Sequence, residues 1–259
     1  MDLGIKGKRA IVCASSKGLG RGVAEQLAEA GVNLTLIARN EAALRQTSET
    51  ISAAHGVHVQ IVIGDVTTPE GQQRLLAAEP NPDILITNAG GPPPGNWADW
   101  DRAAWQNAVD ATMLAPILLM TAVLPGMIER RWGRIVNITS SAVKSPIPDL
   151  GLSNAARSGL TGFVAGTSRQ VAQHGVTINN LLPGSHQTDR IETLLSGSAK
   201  RQNMPLEQVR AEAFAANPTG RFGTPEEFGA IAAFLCSQMA GFIVGQNLLV
   251  DGGAFRSAL

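Results

Sequence analysis

The segment "CASSKGLGRG", Cys13 to Gly22, carries residues whose types and spacing suit phosphate binding. It follows the apolar run "RAIVCAS" and opens a stretch where Leu19, Val23 and Leu27 recur every four residues, so its glycines fall where a strand becomes a helix. Gly18 and Gly20 let the backbone approach a pyrophosphate, whose charge is attracted by the unpaired N–H groups of a helix N-terminus. Ala14 is expected at negative φ, and Ser16, Lys17 and Leu19 complete the loop. After a second apolar run, "LIARNEAAL" presents Arg39 with no carboxylate to repel a 2′-phosphate. Arg39 offers a planar donor fork and Lys17 a second charge, so the expected cofactor is NADP in preference to NAD.

Proton chemistry is harder to place. The stretch "LSNAARSGLTGF" puts Ser153 and Arg157 four residues apart, on one helix face, and the chain contains no tyrosine. A serine hydroxyl is a weak acid and a guanidinium keeps its proton, but Arg157 can donate to ribose hydroxyls or to a substrate anion. His186, in "PGSHQT", has the side chain best matched to proton transfer near neutral pH, and Lys144 is a second candidate. Cys13 and Cys236 stand far apart, and His55, His58, His174 and His186 show no ligand spacing, so no bound metal is expected. Such sparse cysteine suits a reducing compartment.

The elements that must position these residues follow from periodicity. Seven apolar runs, "RAIVCAS", "VNLTLIA", "HVQIVI", "PDILIT", "GRIVNIT", "GVTINNLL" and "QNLLV", alternate with helical patterns over Glu41–Ala54, Trp105–Glu129 and Ser153–His174. That rhythm predicts an α/β fold: a single doubly wound Rossmann-type domain over 1–259 with a central parallel sheet. Residues 188–224 break it and read as a lid insertion, its polar stretch "SGSAKRQNMP" leading into a short helix. "GGPPPG" reads as a stiff loop, and the nearby Trp97, Trp100 and Trp105 are candidate walls of a substrate cleft.

With 21 basic and 21 acidic residues in 259, the chain lacks the field that nucleic acid or an anionic membrane requires, which leaves a small molecule as the expected partner. The N-terminus lacks the apolar core of a secretory signal, so a cytoplasmic protein is expected. Ala111 to Ile128 is uncharged and just meets the length of a membrane span. Pro116, Pro125 and the Asp110/Glu129 bracket predict instead a buried or subunit-facing helix.

Taken in order, these motifs resemble the short-chain dehydrogenase/reductase family over nearly the whole chain, in particular its 3-oxoacyl carrier-protein reductase branch. The family's Thr-Gly-x-x-x-Gly-x-Gly loop is matched at Gly18 and Gly20, with Cys13 and Ala14 in its first two positions. Asp65-Val66 resembles the pair that meets the adenine, Asn88-Ala89-Gly90 the turn after the fourth strand, and Pro183, Gly184 and Thr188 the segment beside the nicotinamide. The resemblance implies a homodimer or homotetramer. It also implies a serine that orients the carbonyl, a tyrosine and lysine that manage the proton, and an asparagine that anchors a water. Ser140 fills the first position, whereas Ser153, Arg157 and Thr112 replace the other three. The expected function is therefore an atypical NADP-dependent oxidoreductase acting on a carbonyl or alcohol. The alternatives are a nucleotide-binding pseudoenzyme and, further off, a non-redox lyase or dehalogenase.

Overall fold

A computed structural model describes residues 2–257, and its strands follow the apolar runs one for one. The first half alternates β1 (Arg9–Cys13), α1 (Gly18–Glu29), β2 (Asn33–Ala38), α2 (Glu41–His55), β3 (Val59–Ile63), α3 (Pro69–Ala78) and β4 (Ile84–Thr87). The chain continues through α4 (Arg102–Val109), α5 (Ala115–Glu129), β5 (Gly133–Ile138), α6 (Gly151–Val171) and β6 (Val176–Pro183). It ends with α7 (Asp189–Gln202), α8 (Leu206–Ala216), α9 (Pro225–Leu235) and β7 (Asn247–Val250).

The strands form one parallel sheet in the order β3-β2-β1-β4-β5-β6-β7. An apolar run buried on both faces feeds two cores at once, because successive side chains point opposite ways. In β1, Ala10 and Val12 pack with Val23 and Leu27 of α1 and Phe228 of α9. Ile11 and Cys13 pack on the other side with Leu119, Met120 and Val123 of α5 and Leu160 and Val164 of α6. The strand order reverses direction between β1 and β4, and in open sheets of this kind the crevice at that reversal receives ligands.

The uncharged segment is part of a longer helical stretch, Arg102–Glu129, which by length and composition alone is apolar enough to cross a membrane. Its inner face belongs to the second core, so it is a layer of the sheet packing rather than a free span. A wide helical turn at Asp110–Leu114 joins α4 to α5 and carries the buried Thr112.

Within the lid, the polar stretch "SGSAKRQNMP" leads into a short helix, α8, as expected, and its first seven residues are themselves helical, forming the second half of α7. Thr188 caps the helix by accepting from Ile191 N–H; Asp189 and Glu192 stand in its first turn, and Lys200 and Arg201 in its last, each pair complementing the helix dipole. Leu195 and Ala199 of α7 close a small separate core with Val209 of α8 and Phe222.

Candidate nucleotide-binding and active site

Loop 13–18 is held by neighbouring elements. Ser15 N–H donates to Ile37 O at 3.3 Å, and Thr47 Oγ1 donates to Ser16 O at 3.1 Å. Gly18 takes φ +58°, in the left-handed region that glycine enters freely. At Gly20 the requirement is space, since a Cβ there would lie 2.4 Å from Ala14 O. Ala14 departs from expectation: its φ is +49°, not negative. An L-residue there costs about 1 kcal/mol that glycine would not incur, and the ties at Ser15 and Ser16 hold it in place.

The start of α1 suits an anion. Its cap residue Lys17 makes no side-chain hydrogen bond to the helix, and no acidic residue stands in the first turn, so the leading N–H groups have no side-chain acceptor. They open onto a cleft of about 300 Å³ at the β1/β4 reversal. Lining it are Ala14, Lys17, Gly18, Leu19, Asn88, Ala89, Gly90, Pro183, Gly184 and Thr188, together with Ser140, Ser153, Arg157 and His186. Expected phosphate, nicotinamide and catalytic positions thus share one space. The donors, the left-handed glycine and the shape of the crevice fit a dinucleotide.

Five expected cofactor contacts lie outside that lining. Ser16 and Gly20 act by shaping the loop. Val66 faces an adjoining cavity that meets the cleft at Asn88, Ala89, Ile138 and Arg157. Asp65 accepts from Thr67 N–H and Oγ1 at 3.0 and 2.8 Å, which folds its own turn, and its other oxygen lies 3.6 Å from Arg39 Nη1. Arg39 is 78% exposed at the end of β2. Lys17 is engaged elsewhere, by Asp189 of α7 at 2.5 Å, so it links the glycine loop to the lid. The tryptophans do not wall the cleft: Trp97 is 81% exposed, and Trp100 and Trp105 meet edge to face beside α6. Lys144 lies over the Phe255 ring.

At the catalytic positions, two hydroxyls keep a free proton. Ser140 Oγ accepts from Ala142 N–H at 3.1 Å, and Ser153 Oγ accepts from Arg157 Nε at 3.1 Å. Arg157 also donates from Nη1 to Ile138 O at 2.9 Å. Burial, and secondarily the charge of Arg190, push its guanidinium down to about 10, still cationic at neutral pH. Thr112 spends its hydroxyl on Ala108 O at 2.7 Å, within its own helix, and so does not replace a water-anchoring amide. Cys13 accepts from Asn88 N–H across the strand reversal, and burial pushes its thiol up to about 12, which leaves it inert as a nucleophile.

His186 lines the cleft and is held on two sides. Its ring packs edge to face on Phe228 at 5.2 Å, Nδ1 faces Gly184 O at 3.2 Å, and the residue is 4% exposed. These two contacts hold the ring in the segment after β6, at the lining of the cleft. Burial lowers its pKa below the ordinary value, the backbone bond to Gly184 and the charges of Glu227 and Asp251 opposing this more weakly. A lowered folded-state pKa means that the neutral ring stabilises the fold above about pH 6.5, and that this stability is lost as pH falls through the folded value. Melting curves between about pH 7.5 and pH 5 should therefore fall more steeply for the native chain than for His186→Gln; parallel curves would contradict this packing.

Sequence reasoning missed Arg190, which lines the same cleft from the first turn of α7. The available signal was a second cation two residues after Thr188, inside a segment already expected to pass the nicotinamide.

The comparisons with known proteins bear on the fold and the family. The family described as enoyl-(acyl carrier protein) reductase matches residues 13–254. The 3-oxoacyl-[acyl-carrier-protein] reductase FabG of Vibrio cholerae is 31% identical over 259 residues, 98% of this chain and 99% of that protein. Dehydrogenase/reductase SDR family member 4 of Bos taurus is 31% identical over 253 residues, 95% of this chain and 87% of that protein. Among solved structures, L-sorbose reductase from Gluconobacter frateurii complexed with NADPH and L-sorbose superposes with a TM-score of 0.92 at 28% identity, covering 99% of this chain and all of that one.

Proposed function

Because the chain belongs to the short-chain dehydrogenase/reductase family of oxidoreductases, we propose that it is an NADP-dependent reductase that stabilises the substrate oxyanion with Arg157 and two serine hydroxyls in place of a phenolic acid. One observation carries this reading: the uncapped start of α1 and the pair Ser153/Arg157 open onto a single cleft.

In this reading Gly18 and the first N–H groups of α1 hold the pyrophosphate, and Arg39 holds the 2′-phosphate. Asn88 to Gly90, Pro183, Gly184 and Thr188 flank the nicotinamide half. When bound, the cofactor supplies a hydride to the carbonyl carbon. Ser140 and Ser153, each already accepting a hydrogen bond, donate hydrogen bonds to the carbonyl oxygen and orient it without giving up their protons. As negative charge grows on that oxygen, Arg157 stabilises it through Ser153 and directly, from a buried position at the wall of the cleft. The final proton comes from solvent. Losing a general acid costs about 10² to 10⁴ in rate, while each well-placed oxyanion donor returns about 10² to 10³. The balance permits a slow but real reductase.

We place this enzyme in the cytoplasm as a homodimer or homotetramer acting on a small molecule, an assembly that would cover the exposed Leu118 and Phe242. The alternative, a nucleotide-binding protein without turnover, is favoured by the same Ser153 that lacks tyrosine's acidity.

Cofactor choice is tested by fluorescence titration with NADPH and NADH. The native chain should bind NADPH at least about 10-fold more tightly, and Arg39→Asp should lose about 10- to 100-fold for NADPH with little change for NADH. Equal affinities that Arg39→Asp leaves untouched would refute the assignment.

A further inference from the structure

Two guanidinium groups from different elements converge in the cleft, and neither is paired with the one carboxylate in its lining, Asp189. A Cβ built on Gly91 would lie 3.3 Å from Nη2 of Arg190 and 3.8 Å from Nη2 of Arg157, so both ends reach the same point. Neither arginine takes part in any ion pair among the described residues. Asp189, next to Arg190, is held by Lys17. Arg190 donates from Nη2 to Pro92 O at 2.8 Å, and Arg157 donates to Ile138 O and Ser153 Oγ, so most of their ten N–H groups have no protein acceptor. Burial lowers both guanidinium pKa values, and at Arg157 the charge of Arg190 adds to the effect.

The molecule contains its own contrast. Arg134 is as buried and also lacks a carboxylate, but it is satisfied by Ser237 O, Gly133 O and Gly175 O and lies against the Trp132 ring, away from the cleft. A buried arginine that ties backbone together looks like Arg134. Arg157 and Arg190 instead hold like charges together at the edge of an open space, an arrangement that an anion would relieve.

We propose that this pair is a carboxylate receptor and that the substrate is a compact oxo acid, its carboxylate held by Arg190 and Arg157 and its carbonyl oxygen by Ser140 and Ser153. A planar carboxylate suits the guanidinium fork. The cleft lies at the small end of ligand sites and is shared with the nucleotide loop, which favours a short acid over a long acyl chain. The carbonyl half of this inference rests on the proposed reduction; capture of the anion does not.

The test is calorimetric titration of the free protein, and of the protein saturated with NADPH, using pyruvate, acetoacetate and their neutral methyl esters. The acids should bind about 10-fold or more tightly than the esters in both forms. Arg190→Gln should remove that difference and Arg190→Lys should restore part of it, with melting curves confirming that each variant is folded. Acids and esters binding alike, Arg190→Gln retaining the preference, or displacement of the acid by NADPH would each overturn the receptor. If the acids bind but NADPH does not, the receptor stands and the proposed reduction falls.

Discussion

Replacing Arg157 by methionine is expected to reduce turnover by about 10²- to 10³-fold while leaving the melting temperature within a few degrees of the native value. The activity loss follows from position: Arg157 lines the cleft and hydrogen-bonds Ser153, so its charge lies next to the oxygen that becomes negative. The small stability effect follows from electrostatics. Arg157 is 9% exposed, has no carboxylate partner and repels Arg190. An apolar side chain of similar length removes a desolvated charge, which offsets the hydrogen bond lost at Ile138 O. Arg134→Met supplies the opposite case, since it strands carbonyls at Ser237, Gly133 and Gly175. It should cost about 3 kcal/mol, or about 6–12 °C, without a specific effect on kcat. A large melting loss with Arg157→Met would identify Arg157 as structural and remove it from the chemistry.

The second large effect is expected at Gly20. A valine there cannot fit, because even its Cβ would sit 2.4 Å from Ala14 O and 3.0 Å from Cys13 O, both fixed backbone atoms. The loop must therefore lift from the start of α1, the two features that together make the phosphate cradle. Overpacking of this kind costs about 1–3 kcal/mol, which a well-buried sheet tolerates, so the chain should still fold. NADPH affinity should fall by more than about 100-fold, since several N–H donors are displaced together. Calorimetric titration beside a melting curve separates the two effects. A folded Gly20→Val that binds NADPH like the native chain would show that the nucleotide does not use this loop.

The sheet was legible because every strand is a continuous apolar run and the chain between runs carries helical periodicity, signals that depend on local residue order. The loop glycines were legible for the same reason. Ala14 was not: its positive φ is imposed by Ile37 and Thr47, residues distant in sequence that bind the loop from β2 and α2. The helicity of the second half of α7 was not legible because its surface is polar and only Leu195 and Ala199 are buried, although its charges already followed the order of a capped helix. At the site, the positions of Ser140, Ser153 and Arg157 could be counted along the chain, whereas the pairing of Arg157 with Arg190 depends on how the lid returns over Gly91. The position of His186 beside the cleft could be read from the motif around it, whereas its packing against Phe228 depends on a helix distant in sequence.

The central claim is that hydride moves in this cleft without a phenolic acid, and the most direct measurement is isotopic transfer. The protein is incubated with NADPH carrying deuterium at the nicotinamide C4 position and with the oxo acid that binds best, and the hydroxy acid formed is examined by mass spectrometry. The account predicts one deuterium on the new carbinol carbon, in a yield that falls with Arg157→Met. NADPH bound at the cleft with unlabelled acid recovered unchanged would contradict it and leave a nucleotide-binding protein in place of a reductase.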